Sequence, residues 1–586
     1  MGTYIAISNS IGALSNLSGS GGGGGDVRHI MKWTLTDEAD LVVTLWNQQG
    51  TITNSYDVDW GDGSSDTGVT TADKSHTYAS TGTYEVKITG QFAGLRMGRV
   101  NATERAKLTE FTNWGTTQIN GVRDMFTNCL NMTYTATDAP DITNLTATSG
   151  TELRSMFIGC DSIVTLDLSG WTNTGNFSGS ALYAFQHMDS LETLNLTGWD
   201  LSSVTDFSYV CQNTGNSTNG CEFIMPNLNL AACTTIRNTF SGANVKSFSI
   251  NGWTFKSSGT VNAASLFQGA EKGTGVASFT LDLSGWTNTA RFNKLSSAFR
   301  SMVGLTTLNT TGWDTSNVTT MEYCFYVNND LTQIDGLSSW STASITGTGL
   351  QYFMYATRRL DFGASGTSNF GTNFGSMSGA TTLRGALALC GDLAPGSAPP
   401  NVSNWDVSNV TNFIQTFYQL KWTGGTPLDI SSWDVSSATT IKQLIYNIAG
   451  SSPSLNVSGW ELSSSCTDFS QAFRNAQTTP FAFTDSNCDL SGVTTMNLCW
   501  YLTGSTSITF KSGMSFAGIT DMANALNGSS ISTSDYDAWL ILLDNSNSNA
   551  VVAHFGTSKY TGGSAAATAR ANLITKGWTI TDGGIA

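Results

Sequence analysis

Apolar residues recur in a fixed phrase along this chain. Leu191, Leu194, Leu196 and Trp199 stand at steps of three, two and three, with polar residues between them. Leu194 and Leu196, two apart, fall on one face of a short strand. Gly198 and Asp200 bracket the tryptophan as turn residues. The phrase returns at 163–171 and 305–313, and shorter versions end at Trp253, Trp286, Trp340, Trp405, Trp433 and Trp460. The steps 171 to 199, 286 to 313, 313 to 340, 405 to 433 and 433 to 460 are 27 or 28 residues, and 199 to 253 is twice 27. A strand this short cannot bury its apolar face alone, and a constant period in this range is the mark of a solenoid whose turns cover one another.

The second half of the unit carries Val318, Met321 and Phe325 at i, i+3 and i+7. This spacing predicts a short helix, capped by Ser316 or Asn317. Phe126, Phe185, Phe267, Phe299, Phe325, Phe353, Phe417 and Phe473 each follow a tryptophan by 12 to 14 positions. Phe240 and Leu387 anchor weaker copies. The repeat therefore reads as strand, turn, short helix and return loop, about fifteen times between roughly residues 105 and 528. At ~4.8 Å per strand the parallel sheet runs ~70 Å. Trp171, Trp199, Trp313, Trp405 and Trp433 are expected to form one internal ladder, and Phe185, Phe325 and Phe417 a second.

The phrase W-D-x-S-x-V-T-x-M-x-x-x-F, spelled out from Trp313 to Phe325, resembles the bacterial surface-protein repeat of the BspA-like leucine-rich type. The resemblance covers roughly three-quarters of the chain. It implies a leucine-rich-repeat solenoid of short parallel strands and short helices, with surface display and adhesion as its use. Similar proteins also occur in bacteriophage genomes.

The flanks break the period. Residues 1–18 carry Tyr4, Ile5, Ile7, Ile11, Leu14 and Leu17 and no charged side chain, and 19–25 is a Gly/Ser hinge. Apolar side chains before a flexible hinge suggest a docking peptide, so 1–25 is read as an assembly anchor. Residues 26–100 read as a β-rich unit, with strands over 40–46 and 83–88. Its phrases Trp60-Gly61-Asp62-Gly63, His76-Thr77-Tyr78 and Gly82-Thr83-Tyr84 resemble, in order and spacing, a PKD domain. That resemblance implies an immunoglobulin-like β-sandwich used as a spacer. Residues 101–528 form the solenoid. Residues 529–586 read as a capping module of two helices, over 535–543 and 564–575, and a last strand at 578–582.

Composition narrows the function. Charged residues make up 12% and the net charge is −16, which argues against nucleic acid and anionic membranes as partners. No apolar run reaches the length of a membrane span. The N-terminus lacks the charged and apolar regions of a secretory leader. A surface-type repeat protein made without a leader would reach the outside in a particle released by lysis. The ten cysteines, several at repeat positions such as Cys129, Cys160 and Cys390, read as buried small apolar residues. The four histidines are scattered. Asp57, Asp59 and Asp62 miss the spacing of a calcium loop and read as turn residues. Asp167, Asp200, Asp282, Asp314, Asp406 and Asp434 recur with the repeat, as turn residues do. No catalytic, cofactor or metal residues are assigned.

The reading is a non-enzymatic virion surface protein: a phage fibre, tail or decoration protein. Residues 1–18 would anchor it to a capsid or tail protein, and the solenoid would meet a host receptor or glycan. A bacterial cell-surface adhesin and a plain spacer are the alternatives. Aromatic side chains exposed beside polar rows would mark the binding protein, and bare regularity the spacer.

Overall fold

The computed structural model describes residues 27–586 except 49–53, 72, 144, 146–150, 364–369, 427, 449–454, 457–459, 477–480, 484–487 and 505. The anchor residues Tyr4, Ile5, Ile7, Ile11, Leu14 and Leu17 lie outside the described residues.

The chain begins with strands β1 (His29–Leu35), β2 (Val42–Trp46), β3 (Ser55–Asp59), β4 (Ser65–Val69), β5 (Asp73–Thr77) and β6 (Gly82–Gln91). Helix α1 (Ala102–Lys107), β7 (Leu108–Asn113) and β8 (Thr133–Tyr134) follow. One six-stranded sheet has the order β4-β3-β6-β1-β7-β8, and β2 pairs separately with β5. Alternation buries Met31, Trp33 and Leu35 of β1 and Tyr56 and Val58 of β3. The three phrases noted above meet in space. Trp60 stacks on His76 at 4.8 Å, Tyr78 donates its hydroxyl to the Trp60 carbonyl at 2.9 Å, and Tyr84 stacks on Tyr78.

This sheet does not stop at residue 100. β1 pairs with β6 on one side and with β7 on the other, both antiparallel, while β7 pairs parallel with β8. The first solenoid strands thus continue the N-terminal sheet across the 100/101 boundary read from sequence. An immunoglobulin-like sandwich standing apart from the solenoid is not what the strand order describes. A single buried apolar cluster extends from Met31 to Trp578.

Beyond it the chain is a parallel β-solenoid of about 16 turns. Equivalent residues pair in register from turn to turn: Leu166 with Leu194, Leu194 with Phe223, Phe223 with Phe248. Farther on, Leu281, Leu308 and Ile334 do the same. The tryptophans lie beneath these strands. Trp171 and Trp199 stack at 5.5 Å, Trp286 and Trp313 at 5.6 Å, and Trp405 and Trp433 at 6.1 Å. Indole N–H groups of Trp199, Trp313 and Trp433 donate to the carbonyls of Leu168, Leu283 and Val402 one turn earlier. The phenylalanines form a second buried column. Phe157 stacks on Phe185 at 5.9 Å and Phe299 on Phe325 at 5.3 Å, while Phe417 is buried and packs against Trp433.

The leucine-rich-repeat expectation needs one correction: the second half of each turn is not a helix. Two residues four apart take the left-handed conformation, as at Tyr323 and Val327 (φ 56° and 60°) or Gln443 and Asn447 (53° and 54°). A right-handed helix cannot pass through such residues. Alternate N–H groups point instead to the next turn. Met321, Tyr323, Phe325 and Val327 donate to the carbonyls of Gly349, Gln351, Phe353 and Tyr355. Asn238, Phe240 and Gly242 repeat the pattern onto Ala264, Leu266 and Gln268. Among the described residues α-helices are confined to α1 and the C-terminus, and the solenoid between them holds only single 3-10 turns such as Thr289–Arg291. α2 (Thr533–Ser546) and α3 (Ala565–Thr575), capped by Ser532 and Ser564, close the C-terminus with a parallel strand pair, 552–554 with 579–581. Arg570 pairs with Asp582 at 2.7 Å, and Asp582 also accepts the Tyr536 hydroxyl.

Polar repeat residues have structural tasks of their own. Thr439, Thr494 and Thr520 each donate a hydroxyl to the equivalent threonine carbonyl of the preceding turn. All ten cysteines are buried and none is in a disulfide. Burial pushes the Cys390 and Cys466 thiols up to about 12.

Candidate binding face

The return segment sorts side chains by its alternating backbone. The first left-handed residue points out, the residue two positions on points in as the repeat phenylalanine or its substitute, and the next points out again. Tyr323, Phe325 and Tyr326 illustrate it: Phe325 is buried while both tyrosines are half-buried. Stacking the turns lines the outward residues into two columns. One holds Tyr183, Tyr209, Tyr323, Tyr352, Gln415, Gln443 and Gln471. Its neighbour holds Gln212, Arg300, Tyr326, Tyr355, Tyr418, Tyr446, Arg474 and Tyr501, with the buried Gln186 at its start.

The columns are internally bonded. Tyr323 stacks on Tyr352 at 5.3 Å, Tyr326 on Tyr355 at 5.2 Å and Tyr418 on Tyr446 at 4.6 Å, each pair within 21° of parallel. Neighbouring rings face each other along the axis, so edges and hydroxyls, not ring faces, meet solvent. Burial and neighbouring tyrosines raise the Tyr355 and Tyr418 phenols above their ordinary range, which keeps them as hydrogen-bond donors. Side-chain amides bond in the same direction. Gln186 donates to Gln212 at 2.5 Å, Gln415 to Gln443 at 3.0 Å and Asn475 to Asn447 at 2.6 Å.

Arginines lie on the rings. Arg237 covers Tyr209 at 5.1 Å and Arg384 covers Tyr352 at 5.6 Å. Arg300 lies over Tyr323 and Tyr326, and Arg474 sits between Tyr446 and Tyr501 at 5.1 and 4.9 Å. Arg237 also donates to the Tyr209 hydroxyl at 2.6 Å and Arg474 to the Gln471 amide oxygen at 3.2 Å, so each guanidinium is ordered with part of its N–H edge still open. Near the N-terminal end, Tyr183, Asp206, Ser208, Tyr209, Thr235 and Arg237 line an open groove of about 530 Å³. Gly385 belongs to the same face: its φ is +60°, and an added Cβ would run into the Tyr352 ring. A side chain there would lift Tyr352 off the turn.

The residues considered for chemistry sit elsewhere. Asp167, Asp200, Asp282, Asp314, Asp406 and Asp434 each accept the backbone N–H two residues on, at 2.8 to 3.2 Å. They close turns and are kept apart by the repeat. Asp57 accepts from Gly68, Asp59 from Gly61, and Asp62 from Ser64 and His76. Among the described residues no cluster of three or more His, Cys, Asp or Glu is placed to hold a metal ion. No described helix is long and apolar enough to cross a membrane. His29, packed among Phe92, Phe111 and Trp114, is buried and its pKa is lowered to about 4 by desolvation.

The sequence reading did not single out the tyrosine, arginine and glutamine columns. Their signal is present beside the repeat phenylalanine, in Phe325-Tyr326, Phe417-Tyr418 and Phe473-Arg474. It was invisible as a face because a helix would have placed these residues on a different surface.

Comparison with known families gives a match at the level of the repeat. A family described as "Mycoplasma protein of unknown function, DUF285" matches residues 96–220, 179–302, 293–362 and 395–512, together well over half of the chain. No curated protein and no solved structure matches significantly. The matched segments cover most of the solenoid, agree with the BspA-like surface repeats that the W-D-x-S-x-V-T phrase resembles, and show that the chain belongs to the DUF285 family of repeat proteins.

Proposed function

We propose that this chain is a non-enzymatic adhesin of a virion surface, a stiff rod that presents its tyrosine-rich return face to a host surface. The observation that carries the reading is the pair of outward columns, with Tyr323, Tyr326, Tyr352, Tyr355, Tyr418 and Tyr446 ordered by stacking. Turn packing alone does not require tyrosine at these outward positions. Tyrosine and arginine are enriched where proteins bind partners, because they offer large, ordered, amphipathic contact at small entropic cost. A plain spacer has no use for them. The repeated aspartates serve as turn acceptors, which supports a display role over catalysis.

Two features support folding inside a cell before display on a particle. Ten buried cysteines, none in a disulfide, suit a reducing compartment. The apolar peptide 1–18 is proposed to dock on a capsid or tail protein, with the PKD-like unit of 26–100 serving both as stalk and as cap of the first turn. Continuity of the sheet through β1 and β7 would carry force from the 26–100 unit into the solenoid without a hinge between those two.

The test uses the full chain. Tyr326→Ala with Tyr355→Ala and Tyr446→Ala should abolish attachment to host cells and leave the unfolding profile nearly unchanged. Attachment at the wild-type level would sink the adhesive reading. Deleting 2–18 should leave a folded protein missing from purified particles, and full occupancy in those particles would remove the anchor from the proposal.

A further inference from the structure

We infer that the return face binds a linear acidic polysaccharide, a glycan chain with widely spaced carboxylates lying along the solenoid axis. The inference rests on the adhesive reading above and names its ligand class.

The charge of the face carries the argument. Several arginines of this chain sit on carboxylates: Arg96 on Asp124, Arg123 on Glu152, Arg358 on Asp392 and Arg570 on Asp582. Arg237, Arg300, Arg384 and Arg474 do not. Among the described residues none of the four has an ion-pair partner, and each lies on tyrosine rings instead. In a chain with a net charge of −16, four uncompensated, pre-ordered cations on one face form a local site for anions. Arg237 donates one Nη–H to the Tyr209 hydroxyl at 2.6 Å and Arg474 one to the Gln471 amide oxygen at 3.2 Å. These bonds order both guanidiniums and leave their other N–H groups, with those of Arg300 and Arg384, for a carboxylate. Ring edges beside it are electropositive, which adds to the preference.

Spacing selects the kind of anion. Counting turns by their left-handed residues, Arg237, Arg300, Arg384 and Arg474 are separated by two, three and three turns. At ~4.8 Å per turn that is roughly 10, 14 and 14 Å. Carboxylates stand in the same segments: Asp206 lines the groove beside Arg237, Glu322 adjoins Tyr323, and Asp468 lies 3.9 Å from Lys442. A dense polyanion such as duplex DNA, with a charge about every 1.7 Å, would be repelled by these carboxylates between the arginines. A polymer with one carboxylate per few sugars would meet the cations and place neutral hydroxyls against the rest. Those hydroxyls find Tyr355 and Tyr418 as donors, and the amides of Gln415 and Gln443 as donors and acceptors. The site is long and narrow, which fits a chain laid along the axis better than a compact ligand.

The experiment measures binding of the full protein to immobilised linear polyuronate and to the same polymer with its carboxyls reduced to alcohols, with duplex DNA as a third surface. The expected result is salt-sensitive binding to polyuronate, at least tenfold weaker on the reduced polymer and weaker still on DNA. The variant Arg300→Gln/Arg384→Gln/Arg474→Gln should lose at least tenfold on polyuronate with an unchanged unfolding profile. Should the triple variant misfold, the exposed Arg384→Gln alone should lose about threefold. Equal binding to both polymers, DNA binding as tight as polyuronate, or an unaffected arginine variant would each overturn the inference. If polyuronate fails to bind while the tyrosine variants still abolish attachment to cells, the face is adhesive but its ligand is not an acidic glycan. If neither tyrosine nor arginine variants change attachment, both readings fall.

Discussion

Trp313→Ala tests the internal ladder most directly. Trp313 is 1% exposed, stacks on Trp286 at 5.6 Å and on Trp340 at 6.1 Å, and donates its indole N–H to the Leu283 carbonyl at 3.0 Å. A buried tryptophan removes about 150–250 Å² from water. At about 25 cal/mol per Å² this is roughly 4–6 kcal/mol, an upper figure because the unfolded chain already hides part of it. Two lost stacking contacts add about 0.5–1.5 kcal/mol each, and collapse of the neighbours returns part of the total. The net expectation is about 4–5 kcal/mol, in the range of buried Trp-to-Ala changes. Trp313→Phe, which keeps a ring but loses the hydrogen bond, should cost about 1–2 kcal/mol. In a solenoid each turn leans on its neighbours only, so the loss should be local. Hydrogen exchange read by mass spectrometry is therefore the better assay than one melting temperature. Protection should fall across residues 283–340 and persist in β1, β6 and α3. Unchanged exchange in that window, or an equal loss at both ends of the chain, would refute the ladder as the source of stability.

Two further outcomes are expected. His29 titrates at about 4 in the folded protein against an ordinary 6.5. The fold therefore favours its neutral form: stability is complete above about pH 6.5 and falls progressively toward pH 4, by about 3 kcal/mol in all. Urea unfolding of β1 and its neighbours at pH 7 and pH 5 should show the decline, and His29→Phe should flatten it; an equally steep decline in that variant would assign the proton elsewhere. Gly385→Ala places a Cβ against the Tyr352 ring at a left-handed residue, so it should cost about 2–3 kcal/mol and weaken attachment as Tyr352 shifts. A variant as stable as the parent would mean that the tyrosine does not rest on this turn.

Much of the architecture was legible in the sequence because a solenoid writes its period into the chain. Trp286, Trp313 and Trp340 recur at one interval because each must occupy the same internal place one turn later, and that constraint can be read without coordinates. The aspartates after or before them, such as Asp167 and Asp314, repeated for the same reason, and their local two-residue hydrogen bonds need no tertiary context. The two C-terminal helices were legible too: Ser532 and Ser564 cap them where the repeat stops.

The return half was decided only in three dimensions. Val318, Met321 and Phe325 have helical spacing, yet their segment is held by N–H groups donated to the next turn. Periodicity counts which residues face inward; it cannot tell a helix from a ladder that buries the same residues. The left-handed residues Tyr323 and Val327 carry no glycine to announce them, and they are held in place by bonds to a turn nearly thirty residues away. The sheet crossing residue 100 is of the same kind, since β1 chooses β7 as a partner through the edge that the solenoid presents. The tyrosine and arginine face follows from both: local sequence placed each ring within a few positions of the buried repeat residue, and only the stacking of turns brought the rings together into one surface.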